Sequence, residues 1–380
     1  MHILTSTVRE GWVEETDSAM AALAAEHGEQ LRACERERRF PAEIYRAMAR
    51  HGWVGTLTPE ELGGLGGTAV EYCVVAEGVG RHGLVTPQTA AQGQRWLLEW
   101  GTDEQQRSYL PAMASGDLVF SESISEPGVG SSFKQMRATA RRDGTDWILN
   151  GSKTHVNLGC ESGLTIAYLL VDGALTSFLV EMDLPGIETR QTDPIGLRMV
   201  PTADVRFEDV RVPQGALLGE VGGGLQTFLT TFNLSRLGNA SELIGLGRRA
   251  IVEALDYARE RPVGDQTVTD FQAIQWKVAD CYDALYAASL ARDRALLVAA
   301  AGEDFSLETS LAKKLAIDAA EKVGEEMFAL LGGHALYHDR PFAQILADIK
   351  ILRVAGGSHE ILRNYVARRV LRSDAYEGLR

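Results

Sequence analysis

The chain has 380 residues, with 38 Lys or Arg against 52 Asp or Glu and a formal net charge of −14. So acidic a surface repels phosphate backbones, which excludes nucleic-acid binding through a broad basic face. Hydrophobic residues at 45% and charged residues at 24% are globular proportions that exclude disorder, and the length calls for two or three modules able to fold without disulfide or metal.

The first third reads as helix. Apolar positions recur at helical spacing over 12–34 and again over 40–53, where Pro41 suits a first turn. The glycine-rich stretch 58–67 interrupts any regular element. Helical spacing resumes over 68–81, 86–100 and 103–113, the last with Thr102 or Asp103 as its cap.

At Leu118 the texture changes to short segments rich in β-branched and aromatic residues. Asp143-Gly144, Asn150-Gly151 and Asp172-Gly173 read as the turns between them. From Gly222 onward helical periodicity returns over 225–259, 270–301 and 306–331. A last segment, 341–371, is broken at Gly356-Gly357 before a helix starting near Ser358. The expected fold class is α+β. An N-terminal helical domain (1–117) precedes a central β-barrel-like domain (118–221) and a C-terminal antiparallel four-helix bundle (222–380).

Cys34, Cys73, Cys160 and Cys281 form no CxxC pair and read as reduced thiols of a cytoplasmic protein. The histidines show no HExxH spacing, so no metal is expected. The N-terminus lacks a basic segment followed by an apolar core, and the most apolar uncharged run, Leu164–Val171, is strand-sized. Neither signal peptide nor membrane span is expected.

The sharpest local signal is SESISEPGVGSS (121–132). Here a strand leaves its sheet through Pro127, Gly128 and Gly130, and small side chains let backbone N–H groups and hydroxyls approach a flat or anionic ligand. An ordinary strand-to-loop turn has the same composition. Other segments join it in order: ELGGLGG (61–67), WGTDEQQRSYLP (100–111), FEDVRVP (207–213), LLGGHA (330–335) and AGGSHEILRN (355–364). Together, from about Arg39 to the C-terminus, they resemble the acyl-CoA dehydrogenase family.

The resemblance implies a flavoprotein holding FAD between the β domain and the bundle, in a homodimer or a homotetramer of two dimers. It implies a flavin contact at Ile124 and Ser125, pyrophosphate contacts at Gly130 and Ser131, and ring contacts at His155, Val156 and Asn157. Arg261 and Gln272 would reach a neighbouring subunit's FAD, with Gly332, Gly333, Ser358 and Glu360 completing the site. His155 and Asn157 stand where the family commonly has Trp and Thr, Arg261-Pro-Val-Gly-Asp lacks its Phe, and Ala329 replaces a Gln.

In the reaction so implied, a carboxylate removes the acyl α-proton while a hydride passes to the flavin. The usual Glu aligns with Gly356, which retains only its backbone N–H, and the alternative Glu aligns with Ser235. Glu242, seven residues on along the same helix, is a further candidate base, displaced by roughly 10 Å. A solvated or salt-bridged Glu there is the plainer reading.

The expected function is an FAD-dependent oxidoreductase acting on an acyl thioester, presented by CoA or by a carrier protein, with the electron acceptor open. The alternatives are an FAD-binding relative performing elimination of the desulfinase kind, cyclisation or monooxygenation, or a catalytically silent scaffold.

Overall fold

The computed structural model describes residues 9–130, 135–337 and 340–372. The N-terminal third folds as α1 (Trp12–Glu26), α2 (Gly28–Glu37), α3 (Ala42–Arg50), α4 (Ala69–His82), α5 (Gln88–Trp100) and α6 (Asp103–Ala114). The expected continuous helix over 12–34 is two, broken at His27. Sequence capping works where it was legible. Thr102 and Gln105 form a reciprocal capping box at the start of α6, as Thr68 and Glu71 do for α4.

The middle third is a sheet of β1 (Phe120–Ser123), β2 (Thr139–Asp143), β3 (Asp146–Asn157), β4 (Leu164–Val171), β5 (Ala174–Glu181), β6 (Ile187–Gln191), β7 (Thr202–Val212) and β8 (Leu217–Leu218). The strands run in the order β6-β7-β3-β2-β4-β5-β8, with β1 parallel to β4. The path ends at β6 and β8 without joining them. The barrel-like domain expected from sequence is therefore an open sheet, with a single residue pair, Thr139 and Leu170, linking β2 to β4.

Asn150-Gly151 is not a turn. It lies inside β3, where the pairing with β7 shifts register. Gly151 takes φ +143°, and a Cβ there would stand 2.4 Å from that of Ala138. The extra residue of the bulge is on β7, where Asp209 takes φ +48°, and the glycine opposite it marks a close strand approach.

The last third contains α7 (Gly224–Thr230), α8 (Phe232–Glu260), a small hairpin of β9 (Pro262–Val263) and β10 (Gln266–Thr267), α9 (Gln272–Ala300), α10 (Ser306–Leu331), α11 (Phe342–Val354) and α12 (His359–Leu371). Cross-contacts give the directions. Asn233 and Arg236 on α8 meet Ser306 and Ser310 on α10, so these helices run parallel. Lys277 pairs with Glu326, which sets α9 antiparallel to α10. Lys350 pairs with Glu321 and Arg369 with Asp304, so α11 and α12 act as one broken fourth helix, antiparallel to α10. The break is Gly356-Gly357, with φ +64° and +97°, values in the region that side chains disfavour.

The bundle core gathers Leu243, Ile244, Ile317, Val323, Met327, Ile345 and Ile349. The N-terminal domain docks through α4 on α8, where Gly80 and Gly245 admit backbone of the facing helix. Arg292 of α9, fully buried, pairs with Glu77 of α4 and with Asp293. Removing one side of such a pair strands a buried charge, at a cost of about 3–5 kcal/mol.

Candidate active site

At the break, position 356 faces α8. A Cβ on Gly356 would meet Asn239 Nδ2 at 2.6 Å, Ser235 Oγ at 2.8 Å and Lys313 Nζ at 3.6 Å. The structure thus brings together Ser235 and Gly356, which sequence alignment linked only by analogy. It adds Asn239 and Lys313, which sequence reasoning missed.

Gln88 Nε2 of α5 donates to Ser235 Oγ at 3.0 Å, and Asn239 Nδ2 donates to Ala355 O at 3.1 Å. Lys313 Nζ donates to the carbonyls of Ala355 and of Gly357, the latter at 2.9 Å. Burial, and next the charge of Arg236, push the Lys313 ammonium down to about 7. Arg236 lies on the other side of the break. Its guanidinium stacks 4.1 Å over Phe232, Nη1 donates to Ser310 Oγ at 3.0 Å, and Nε has no partner. Burial lowers it to about 10. A signal for Lys313 was present: it precedes the apolar Ala316 and Ile317 by three and four residues, on the buried face of its helix.

Glu242 points elsewhere. It is buried in the seam with α4, near Thr86, and lines a narrow cavity with Val79, Leu197, Met199 and Asp348. Burial raises its carboxyl to about 7, opposed by a Thr86 hydrogen bond. It is not among the atoms surrounding Gly356.

The strand end after β1 is held by a device the sequence reading did not find. Glu126 and Lys153 form a buried ion pair at 2.8 Å. Glu126 also accepts the backbone N–H groups of Arg137 and Ala138, and Lys153 donates to Ile124 O and Tyr168 O. Burial alone would raise the Glu126 carboxyl, but the Lys153 hydrogen bond and the two N–H groups bring it below its ordinary value. The signal was strand parity: Lys153 shares the inward face of β3 with Trp147 and Leu149.

This pair fixes Ile124 and Ser125, whose carbonyl accepts Thr154 N–H at 2.9 Å. His155 and Asn157 are exposed on β3, and His155 adopts φ +57° beside a bulge. Gly130 is exposed, with open space where a Cβ would be, while Ser131 lies outside the described residues.

Ser358 caps α12, accepting Ile361 N–H, and Glu360 pairs with Arg353. Arg261 caps the far end of α8, bonded to Tyr257 Oη, and Tyr257 stacks 4.1 Å from the ring of His334. Arg261 thereby joins the Gly332-Gly333 segment, which is open above both glycines, while Gln272 begins α9, exposed.

Two clusters result. One has Ile124 and Ser125, bonded to β3 beside His155 and Asn157. The other has Arg261 with Gly332 and Gly333, linked through Tyr257 and His334. An open backbone cradle, exposed polar side chains and an arginine fit an extended dinucleotide cofactor.

Three domain families of one enzyme family cover the chain. Residues 14–117 match the acyl-CoA dehydrogenase N-terminal domain, 121–210 the middle domain and 222–371 the C-terminal domain. The mitochondrial short-chain specific acyl-CoA dehydrogenase of Bos taurus is 32% identical over 349 residues, covering 89% of this chain and 85% of its own. The 3-(aryl)acrylate reductase of Clostridium sporogenes is 30% identical, covering 88% and 91%. A probable acyl-CoA dehydrogenase from Mycobacterium abscessus superposes with a TM-score of 0.89 at 27% identity, over 94% of this chain and 98% of that one.

The chain belongs to the acyl-CoA dehydrogenase family. It is an FAD-dependent, acyl-CoA dehydrogenase-like oxidoreductase. Among the described residues no helix is long and apolar enough to cross a membrane, and no cluster of His, Cys, Asp and Glu could hold a metal ion.

Proposed function

We propose that this enzyme takes an acyl thioester at the Ser235–Gly356 junction and acts on it without a carboxylate at either position. The observation that carries this reading is the closure of position 356: its φ is +64°, and Asn239 and Ser235 fill the direction of a side chain. The backbone N–H of Gly356 remains to polarise a thioester oxygen, which stabilises developing enolate charge. FAD, when bound, would supply the acceptor for a β-hydride, and with no carboxylate at either position the α-proton would leave to solvent water.

Ser235 and Gln88 supply a hydroxyl and an amide to orient the acyl group, and Phe232 and Phe228 supply an apolar wall. Ile124, Ser125, His155, Asn157 and Ser358 would hold the flavin end of the cofactor, and Gly130 its phosphates. Arg261 lies 26 residues along α8 from Ser235, about 39 Å at 1.5 Å per residue. That separation supports a role for Arg261, Gln272, Gly332 and Gly333 toward the cofactor of a second subunit, in a homodimer or homotetramer.

Thioester delivery by CoA and by a carrier protein share the phosphopantetheine arm, so the test uses that arm. Purified protein is expected to be yellow, and a phosphopantetheine thioester is expected to shift its visible spectrum on binding. Protein that takes up no FAD, or FAD-loaded protein whose spectrum no thioester perturbs, contradicts the reading.

A further inference from the structure

A cavity of about 750 Å³ opens where the three domains meet, and none of the residues at the Ser235–Gly356 junction lines it. Its walls are α2 and the end of α4, the loop that precedes β7, the middle of α8 and the start of α11. Five arginines line it, Arg32, Arg36, Arg198, Arg249 and Arg340, against two glutamates, Glu35 and Glu253. This local excess of positive charge runs against the chain's net −14. A cleft lined by one sign of charge focuses its field and gathers ions of the other.

Arg198 is occupied within the protein, donating to Asp193 Oδ1 at 3.2 Å and to the carbonyl of Glu35 at 3.1 Å. Among the described residues Arg32, Arg36 and Arg249 have no carboxylate at ion-pairing distance. Arg249, half-buried, reaches the cavity because residue 83 is glycine: a Cβ there would stand 2.4 Å from its Nη1. Burial pushes its guanidinium below the ordinary range, and Glu253, Asp348 and Glu35 act on it only at a distance. Burial also raises Glu35 to about 7 and Asp348 well above its usual value, so neither answers Arg249 in full at neutral pH. Glu35 Oε2, enclosed in the same wall, has no hydrogen-bond partner. Leu31, Met199, Pro341 and Ile195, the last 67% exposed, add an apolar surface beside the charges.

We propose that this cavity is a second binding site, for a nucleotide, whose phosphates Arg32, Arg36 and Arg249 hold while its base lies against Ile195 and Pro341. Guanidinium groups meet phosphate oxygens through paired, charge-assisted N–H bonds, and a flat ring answers the apolar surface. The volume lies within the roughly 300–1,000 Å³ of small-molecule sites. A ligand held there touches α2, the loop before β7 and α8 at once, so its occupancy ties the three domains together. The site is separate from the flavin cluster and does not depend on the thioester reading.

The test is calorimetric titration of the FAD-loaded full chain with ADP, pyrophosphate and adenosine. ADP is expected to bind saturably, with a dissociation constant below about 1 mM, and to raise the melting temperature. Pyrophosphate and adenosine, each lacking half of the recognised chemistry, are expected to bind about tenfold or more weakly. Arg249→Gln and Arg36→Gln are each expected to weaken ADP binding about tenfold, the loss of one charge-assisted contact, with flavin content unchanged. Should Arg249→Gln not fold, Arg32→Gln and Arg36→Gln, at exposed positions of α2, decide alone. No binding of ADP, or binding that survives the arginine substitutions, overturns the site. Pyrophosphate or adenosine bound as tightly as ADP overturns the nucleotide assignment.

Discussion

Ser235 Oγ lies 2.8 Å from the point where a Cβ on Gly356 would stand, so the two positions that the sequence resemblance marks for a base converge on one point of space. Position 356 is closed twice, by that contact and by its φ of +64°. Gly356→Glu is expected to lower stability by about 1–3 kcal/mol, seen as a reduced melting temperature, without raising flavin reduction. Ser235 has ordinary helical backbone on α8, beside Arg236 and Lys313. Ser235→Glu is the variant expected to install a base, raising flavin reduction by butyryl-CoA by about 10²–10⁴-fold.

Lys153 anchors the loop that follows β1. Lys153→Met leaves the Glu126 carboxylate buried with only two backbone donors, and is expected to cost about 3–5 kcal/mol in denaturant unfolding. The double variant Lys153→Met/Glu126→Gln is expected to cost less than the single one, because no charge is stranded. Additive losses would show that the pair is not coupled.

Glu242 provides a pH signature. Its folded carboxyl is raised to about 7 by burial, so between about 4.5 and 7 the native state holds a proton that the unfolded state has lost. Its contribution is therefore present in full below about 4.5 and is lost as pH rises through 7. Glu242→Gln is expected to be the more stable protein above pH 7, by up to about 3 kcal/mol, with the advantage vanishing below pH 4.5. A substitution that instead abolishes flavin reduction would assign Glu242 to the chemistry.

Arg261 is exposed at the end of α8, and its guanidinium bonds to Tyr257 of its own turn. If it serves a second subunit's cofactor, Arg261→Ala lowers FAD content per chain and weakens the oligomer together, while monomer stability barely moves. Absorbance ratio and size-exclusion elution measure the two. Unchanged flavin content would make Arg261 a surface charge.

Much of the architecture could be read from the chain because its signals are local. Thr102 and Gln105 announce the start of α6, and Gly356-Gly357 announces the break before α12. Asn150-Gly151 misled because a glycine required by the close approach of a neighbouring strand looks like one required by a turn. The open sheet was not legible, since closure depends on which strands meet at its edges, not on their composition.

The site divides the same way. Gly356 and Ser235 were found through motif order, but their proximity is a property of helix packing. Glu126 and Lys153 stand 27 residues apart, and no local pattern names a partner at that range. Lys313 and Arg236 look like solvated charges on amphipathic helices until the neighbouring helices bury them.

The central claim is that this flavoenzyme meets an acyl thioester without a carboxylate base at either customary position. Anaerobic mixing of the FAD-loaded protein with butyryl-CoA, followed by loss of flavin absorbance, tests it most directly. The expected result is slow, incomplete bleaching in the wild type and fast bleaching in Ser235→Glu. Fast, complete bleaching in the wild type that Ser235→Glu fails to improve would contradict it.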